Sequence, residues 1–222
     1  MTNAIPDATK AALLNSAAAG GLVTSGVGLA LFTAFPPTPA SNEVGGGGSP
    51  LYARKAITHT ANAAANSISP NTGLPATFDI PPGTTVRAIG VMSGTVTGVG
   101  TVIAWSPAGA ATRISISVPD TAAVTANLIY SEAHGLAAGN SVLFWATEQG
   151  NQGLPAGLAE DTEYFVIAAG LTADAFSVSA TLGGSALDIT DEGVGDAQKF
   201  TPETFSGQGQ YQVSQFTTSL PG

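Results

Sequence analysis

The stretch Arg113-Ile-Ser-Ile-Ser-Val118 alternates polar and apolar residues strictly, with an isoleucine or valine at every second position. Side chains along a β-strand point alternately to opposite faces, so this period of two predicts a strand with one buried and one solvated face. Short apolar segments separated by glycine and proline lie on both sides of it; they are residues 29–35, 52–60, 76–80, 84–92, 98–105, 127–130, 141–145, 163–168, 175–180, 187–190, 200 and 210–218. Short strands with such turns are typical of a sandwich or a barrel, so the sequence predicts a mainly β fold.

A helix is predicted only near the N-terminus. Residues 8–19 are rich in alanine, Asp7 precedes them as a capping residue, and Gly20 follows their end. After residue 20 the sequence contains no pattern with the period of a helix. The predicted fold is therefore mainly β with one short N-terminal helix.

Charged residues make up only 9% of the 222-residue chain, against about 25% in ordinary soluble domains. The 6 lysines and arginines oppose 15 acids, and the formal net charge of −9 argues against binding to nucleic-acid phosphates. The absence of cysteine excludes a disulfide framework and zinc–thiolate sites. No apolar run approaches the ~20 residues of a membrane span, and the first residues lack a signal-peptide pattern. A surface so poor in charge is expected to be covered by partners, which favours a component of an assembly over a free enzyme.

Several separated motifs occur in a recognisable order in the first and last parts of the chain. They are Leu29-Ala-Leu-Phe-Thr33, Asn42-Glu-Val44 with the glycines that follow it, Tyr52-Ala-Arg-Lys-Ala56, the turn at 80–86, and Glu203-Thr-Phe-Ser-Gly-Gln-Gly-Gln-Tyr211. Together they resemble a family of small structural proteins of tailed bacteriophages, described as minor tail, tail-fibre-like or virion proteins. The resemblance implies a structural role in a virion.

The spacing of these motifs predicts that the domain carrying them is discontinuous. In the family that the chain resembles, a strand ending near Trp-Pro-Ala runs almost directly into Pro-Glu-Thr-Phe. Here a long insertion separates Trp105-Ser-Pro-Ala108 from Pro202. The predicted domains are a host β-sandwich of residues 1–108 plus 200–222, with an N-terminal arm and helix in residues 1–21, and an inserted acidic β module of residues 109–199.

The insertion carries motifs of its own. His134-Gly-Leu136, Leu154-Pro-Ala-Gly-Leu158 and the segment 174–187 resemble a small β module that phage tail and baseplate proteins often carry. The resemblance covers roughly residues 128–195 and implies no particular chemistry.

The titratable residues suggest no catalytic centre and no cofactor. Nucleophilic catalysis needs a base beside a serine or threonine. His134 is instead expected to hydrogen-bond the backbone where a strand begins, and His59 to lie on a sheet surface. The glycine-rich segment 94–100 lacks the lysine and the following helix of a phosphate loop and predicts a hairpin turn.

Two acidic patches contain candidate site residues. Asp188, Asp191, Glu192 and Asp196 are weak candidates for a calcium site, because their oxygens lack the alternating spacing of a calcium loop. The second patch contains the carboxylates of Glu160, Asp161 and Glu163, and paired carboxylates can hydrolyse glycosides. The sequence contains no feature that would fix two of them at the distance this reaction needs. A solvated, solubilising turn is the preferred interpretation of both patches.

Four residues are predicted to contact a partner: Trp145, Phe144, Tyr52 and Arg54. Phe144 and Trp145 are adjacent on a predicted strand and therefore face opposite sides. We expect one of these two rings to lie in the core and the other to be exposed or at an interface.

The sequence predicts a non-enzymatic structural component of a tailed-phage virion. It would act in several copies on the tail or the capsid surface, as a minor tail or decoration protein, after assembly in the bacterial cytoplasm. Its partners would be copies of itself and other virion proteins, without a cofactor, nucleic acid or membrane. The alternative is a receptor- or glycan-binding module of a tail fibre or spike, with the host surface as partner.

The charges divide unevenly at the predicted insertion. Residues 109–199 contain two basic and eleven acidic residues and thus the whole formal charge of −9, whereas the host segments contain four of each sign. This division predicts an uncharged body that packs among neighbours and an acidic module that faces water.

Overall fold

The computed structural model describes residues 27–45, 48–62, 67–72, 74–147, 153–214 and 218–219. The predicted helix of residues 8–19 and the arm of residues 1–21 lie outside these ranges. The chain divides into two compact units. The body unit comprises Met1–Ala108 and Pro202–Gly222, and the inserted unit comprises Gly109–Thr201. The sequence prediction places these boundaries at residues 108 and 200.

The body unit contains a six-stranded sheet. Its strands are β1 (Val27–Phe32), β2 (Lys55–Asn62), β3 (Ser67–Thr72), β6 (Ala88–Met92), β7 (Val102–Pro107) and β16 (Thr218–Ser219). All pairs are antiparallel, in the order β16-β3-β2-β1-β6-β7. A four-residue helix, α1 (Pro39–Asn42), follows β1, and Glu43 then forms a bridge with Phe32.

Two long segments pair with each other outside this sheet. The first contains β4 (Ala76–Ile80) and β5 (Thr84–Val86), and the second β14 (Glu203–Phe205) and β15 (Gly209–Val213). Strand β5 pairs with β14 and β4 with β15, and a bond from the Gly83 N–H to the Phe205 carbonyl links the two ladders at 2.7 Å. The segment predicted as one strand over 84–92 is therefore two strands, because the chain changes its pairing partner at Arg87.

The core of the body unit lies between the sheet and these paired segments. Leu29 and Leu31 of β1 pack in one cluster with Phe78 and Ile80 of β4 and Tyr211 of β15. Burial of each large apolar side chain contributes about 1.5–3 kcal/mol, so this cluster is a main source of the unit's stability. All six residues of β1 are buried, which confirms the predicted buried strand and shows that it ends at Phe32 rather than at Phe35.

The inserted unit is a closed barrel of six antiparallel strands. Its strands are β8 (Arg113–Val118), β9 (Ile129–Tyr130), β10 (Ser141–Trp145), β11 (Tyr164–Ile167), β12 (Ala175–Ser179) and β13 (Gly193–Phe200). The order around the barrel is β10-β11-β12-β9-β8-β13, and β13 closes it by pairing with β10. Closure pairs every strand on both sides and so removes exposed sheet edges. The mainly β fold class is confirmed.

The alternation of β8 positions its side chains as the sequence predicts. Ile114, Ile116 and Val118 pack in the barrel core. The intervening Arg113 and Ser115 point to the opposite face, so the period-2 pattern is confirmed at this strand.

The prediction that no helix follows residue 20 is wrong, both at α1 and at a second short helix in the inserted unit. Helix α2 (Thr121–Ala126) lies between β8 and β9. The Asp120 side chain caps it by accepting the Ala123 N–H at 2.8 Å, and the chain leaves it through Asn127 with a left-handed φ of 54°. An aspartate before the helix and an asparagine after it are the local signals of its two ends. Its six residues are too few to show a helical period.

Candidate functional site

A polar network in the body unit centres on Glu43 and Arg54. Arg54 donates from Nε to Glu43 Oε1 at 2.7 Å and from Nη2 to Glu43 Oε2 at 2.6 Å. Two parallel bonds of this kind make the strongest type of arginine–carboxylate pair. Both side chains are closed to solvent, with 0% of Arg54 and 1% of Glu43 exposed. A buried pair of this kind is stable only when its other polar atoms also find partners.

Those partners lie in the hairpin loop between β6 and β7. Arg54 donates to the carbonyl oxygen of Gly94 at 3.2 Å and to that of Val99 at 2.8 Å, while the Gly98 N–H donates to Glu43 Oε2 at 2.8 Å. Gly28 of β1 lies so close that an added Cβ would be 2.7 Å from the Gly94 carbonyl oxygen. The predicted hairpin turn is confirmed, and the ion pair fixes the position of its loop.

Tyr52 connects the ion pair to the sheet. Its hydroxyl accepts the Leu31 N–H at 3.0 Å and donates to Glu43 Oε1 at 3.3 Å. Burial is the main cause that raises the pKa of Tyr52 above its ordinary value, and the nearby Glu43 charge raises it further. The phenol therefore keeps its proton and serves as a fixed donor inside the core.

The network holds several segments of the chain together. Its two charges lie inside the unit and bind each other and the backbone. Sequence reasoning selected Tyr52 and Arg54 but not Glu43. The signal for Glu43 was present, since opposite charges in so neutral a segment are expected to pair.

A polar groove of about 420 Å³ lies on the same unit. It is lined by Thr33, Glu43, Val44, Gly45, Gly83, Thr84, Thr85 and Arg87. Arg87 is half-buried and donates from Nη1 to the Thr33 carbonyl oxygen at 3.3 Å. The groove forms where the segment after α1 meets the turn between β4 and β5. The sequence identified none of its polar residues as a site, because they are far apart in the chain.

The four predicted contact residues are all buried, and the expectation of an exposed aromatic ring is wrong. Phe144 lies in the barrel core, where its ring meets Tyr164 edge to face at 5.7 Å. Trp145 faces the other side, as the alternation predicts, but only 6% of it is exposed. The Arg113 guanidinium lies 4.1 Å from its ring centre and covers that face. Tyr52 and Arg54 are buried in the network described above.

Acidic groups surround the guanidinium that covers Trp145. Burial lowers the pKa of Arg113, and the charges of Asp196 and Glu160 oppose that effect. Asp196 also accepts a bond of 3.4 Å from Ser115 Oγ, and Glu160 accepts the Ala146 N–H at 2.8 Å. Through these contacts Asp196 and Glu160 stabilise the wall of the barrel.

The acidic residues predicted as weak metal candidates are not brought together. In the part of the chain that the structure describes, no three histidine, aspartate or glutamate side chains form a group that could hold a metal ion. Asp188, Asp191 and Glu192 are exposed, and Asp196 lies on β13 next to Ser115.

The carboxylates of the second acidic patch make separate contacts and do not face one another as a pair. Glu163 Oε1 accepts a bond of 2.8 Å from Ser141 Oγ, while Glu160 binds the Ala146 backbone. Asp161 has a left-handed φ of 55°, and its Oδ1 atom is buried without a hydrogen-bond partner. Burial raises the pKa of Asp161, and the neighbouring Glu160 charge raises it further.

His134 has the structural position that the sequence predicts. Its Nδ1 accepts the Leu136 N–H at 2.9 Å, and its Nε2 lies 3.4 Å from the Ala175 carbonyl oxygen. The ring also packs edge to face on Phe176 at 5.1 Å. These bonds hold the turn that precedes β10. His59 lies in β2 opposite Pro70, and its side chain is outside the described part of the structure.

Among the described residues, no helix is long and apolar enough to cross a membrane. The chain matches none of the known protein-family models, curated proteins or solved structures with which it was compared.

Proposed function

We propose that the chain is a non-enzymatic structural component of a tailed-phage virion, present in several copies on the tail or the capsid surface. The observation that carries this proposal is the location of the residues that resemble phage structural proteins. Leu29 and Leu31 form the core of the body unit, and Glu43, Tyr52 and Arg54 form the buried network that fixes its loops. These five motif residues bind the core and the backbone of the chain itself, as residues of a structural scaffold do.

The remaining motifs support the same role. The turn at 80–86 and the segment 203–211 pair with each other across more than a hundred intervening residues. This pairing joins the end of the body unit to its middle. A body unit fastened in this way suits a structural component that must stay folded among its neighbours.

The distribution of charge is a second support. The body unit carries equal numbers of positive and negative residues, and the inserted unit carries the net charge of −9. Its acidic side chains Asp120, Glu132, Asp174, Asp188 and Glu192 are exposed. A neutral surface packs against neighbours without a large desolvation cost, and an acidic surface keeps an assembly soluble. In this proposal the body unit makes most contacts, with other copies or other virion proteins, and the acidic unit faces water.

The alternative function, glycan or receptor binding by the inserted unit, is not favoured by the positions of the aromatic rings. It required an exposed aromatic ring that could stack on a ligand. Both candidate rings, Phe144 and Trp145, are buried in the barrel or under Arg113.

The test is direct detection of the chain in purified particles of the phage that encodes it. Quantitative mass spectrometry of density-purified virions should find several copies per particle, and a reconstruction should place the body unit against neighbours. A chain that is absent from particles, or that is present with its acidic unit buried and its body exposed, contradicts the proposal. A variant with the core change Leu31→Asp serves as the control, because it should be lost from particles through misfolding.

A further inference from the structure

Strand β15 forms an open edge of the body unit. Its residues Gly209–Val213 pair with β4, and within the described ranges these two strands form a sheet by themselves. Among the described residues, no backbone–backbone bond outside that ladder involves β15. One side of the strand therefore presents backbone N–H and C=O groups to which another strand can bind.

This edge lacks the features that keep other edges from pairing. Natural proteins protect open edges with charges, proline, bulges or very short strands. The other outermost strands of the body unit, within its described part, each have such a feature: Glu203 in β14, Asp79 in β4, Pro107 and a register shift in β7, and a length of two or three residues in β16 and β5. Strand β15, with the sequence Gly-Gln-Tyr-Gln-Val, has five residues and none of these features. Its edge is thus left available to a further strand.

The layer that contains β15 is narrower than the layer on the other side of the core. The paired segments of β4, β5, β14 and β15 lie over a six-stranded sheet. Ile89 of β6, Ile103 of β7 and Phe205 of β14 pack against the core but are only partly buried. Apolar surface therefore remains at the rim of the core, and a further strand in the narrower layer has a sheet to pack on.

The side chains of β15 suit a second copy of the same strand. Gln210 and Gln212 are exposed, and their Nε2 atoms donate to Asp79 Oδ1 at 3.3 Å and to Thr77 Oγ1 at 3.5 Å. Each amide keeps its oxygen and a second N–H, so two such side chains can donate to and accept from each other. The strand carries no charge, so copies that each have a net charge of −9 can meet here without repulsion between facing side chains.

We propose that β15 pairs antiparallel with β15 of a second copy, with Tyr211 at the two-fold axis. An axis normal to the sheet keeps each side chain on its own face, and centring on Tyr211 pairs all five residues of the strand. Gln210 then lies opposite Gln212 of the second copy, and the buried side of the strand extends the core. This pairing rests on the proposed function, because it names the surface through which the body unit contacts other copies.

Sedimentation velocity of the purified full-length chain, from about 1 to about 500 µM, measures the association. We expect a dimer with a dissociation constant on the order of 10–100 µM, because one short strand pair buries little surface. Changing Gln210 and Gln212 together to lysine should weaken association at least about tenfold, because lysines of the two copies would lie directly opposite each other. The control is Thr97→Lys with Ser206→Lys, which adds the same charge at exposed positions outside the strands of the unit.

The register is tested with cysteine, because the chain contains none of its own. Gln210→Cys chains mixed with Gln212→Cys chains, with oxidised glutathione as the oxidant, should form a disulfide-linked dimer about tenfold faster than either variant alone. Directly opposite residues lie about 4.5–5.5 Å apart between Cα atoms, a separation that a disulfide can bridge. Ser206→Cys mixed with Gln212→Cys is the control and should stay at the rate of the single variants.

Pairing through β15 is overturned if the chain remains monomeric at the highest concentration, or if the control lysines weaken association as much as those in β15. It is equally overturned if the mixed cysteine chains link no faster than the single ones. Circular dichroism and melting temperatures confirm folding, and the cysteine variants decide the matter if the lysine variant loses its fold. A chain that dimerises but is absent from purified particles contradicts the proposed function alone. A chain that is present in particles with no second copy against β15 contradicts the pairing alone.

Discussion

Arg54 Nη2 lies 2.6 Å from Glu43 Oε2 in the interior of the body unit, and the same two side chains bind the backbone of the 93–101 loop. The pair thus links the segment after β1, the segment before β2 and the hairpin between β6 and β7. Three parts of the chain depend on one charge pair that water does not reach.

The first prediction is that loss of either partner strongly destabilises the body unit. Glu43→Ala should lower the free energy of unfolding by about 3–5 kcal/mol, because Arg54 is left as a buried charge without its carboxylate. Chemical denaturation followed by circular dichroism measures the change. The double variant Glu43→Leu with Arg54→Met should lose less than Glu43→Ala, and Glu203→Gln, an exposed change in the same unit, should stay within about 0.5 kcal/mol. A loss below 1 kcal/mol for Glu43→Ala would mean that the pair does not hold the loop.

A second prediction concerns the cover over Trp145. Arg113→Gln should lower stability by about 1 kcal/mol, because the ring loses its cation contact and part of its shield from water. In a Trp105→Phe background, the fluorescence of Trp145 should shift to longer wavelength and become easier to quench with acrylamide. Lys199→Gln removes a charge from the neighbouring strand β13 and is the control. Unchanged quenching in Arg113→Gln would contradict the assigned role of the guanidinium.

Helix α2 supplies the third prediction. Asp120→Ala should cost about 1 kcal/mol, because the Ala123 N–H loses its acceptor at the start of the helix. Asp120→Asn keeps a capping oxygen at the same position and should lose much less. Thermal unfolding of the two variants side by side measures the difference. Equal losses would show that the negative charge, rather than the capping bond, stabilises this end of the helix.

The fourth prediction is a pH dependence that comes from Asp161. Burial raises its pKa in the folded state, so the folded chain binds its proton more tightly than the unfolded chain does. Its contribution to stability is therefore fully present below the pKa of the unfolded state and is lost as the pH rises through the raised folded value.

The variant Asp161→Asn removes this dependence and keeps a residue that tolerates the left-handed backbone. At neutral pH it should be more stable than the parent chain by about 0.5–1 kcal/mol, a small gain because the residue is only half buried and solvent screens its charge. Melting temperatures measured from pH 4 to pH 8 test this. The exposed Asp188→Asn is the control; a neutral-pH gain as large in Asp188→Asn would indicate a general effect of net charge.

Local patterns in the sequence were sufficient for most of the strands. The alternation of residues 113–118 and the turn at 80–86 act within a few neighbouring residues, so they could be interpreted without the rest of the chain. They predicted the β fold, the buried β1 and the hairpin at 94–100. They failed at α1 and α2, because helices of four and six residues are shorter than two turns and show no helical period.

The polar groove could not be predicted from the sequence, because separate segments of the chain form it. The groove unites Thr33, Gly83 and Arg87, whose chemistry is unremarkable when each is taken alone. The burial of Trp145 was equally hidden from the sequence, because alternation gives the direction of a side chain but not what covers it.

By itself, therefore, the sequence determined the class of fold, the positions of most strands and the concentration of negative charge in residues 109–199, since these follow from neighbouring side chains and from composition. Only the tertiary structure decided which charges are paired, which aromatic rings are covered and where a groove opens. Those outcomes depend on contacts between separate segments of the chain, such as that of Arg113 with Trp145 and that of Arg87 with Thr33, which neighbouring residues in the sequence do not reveal.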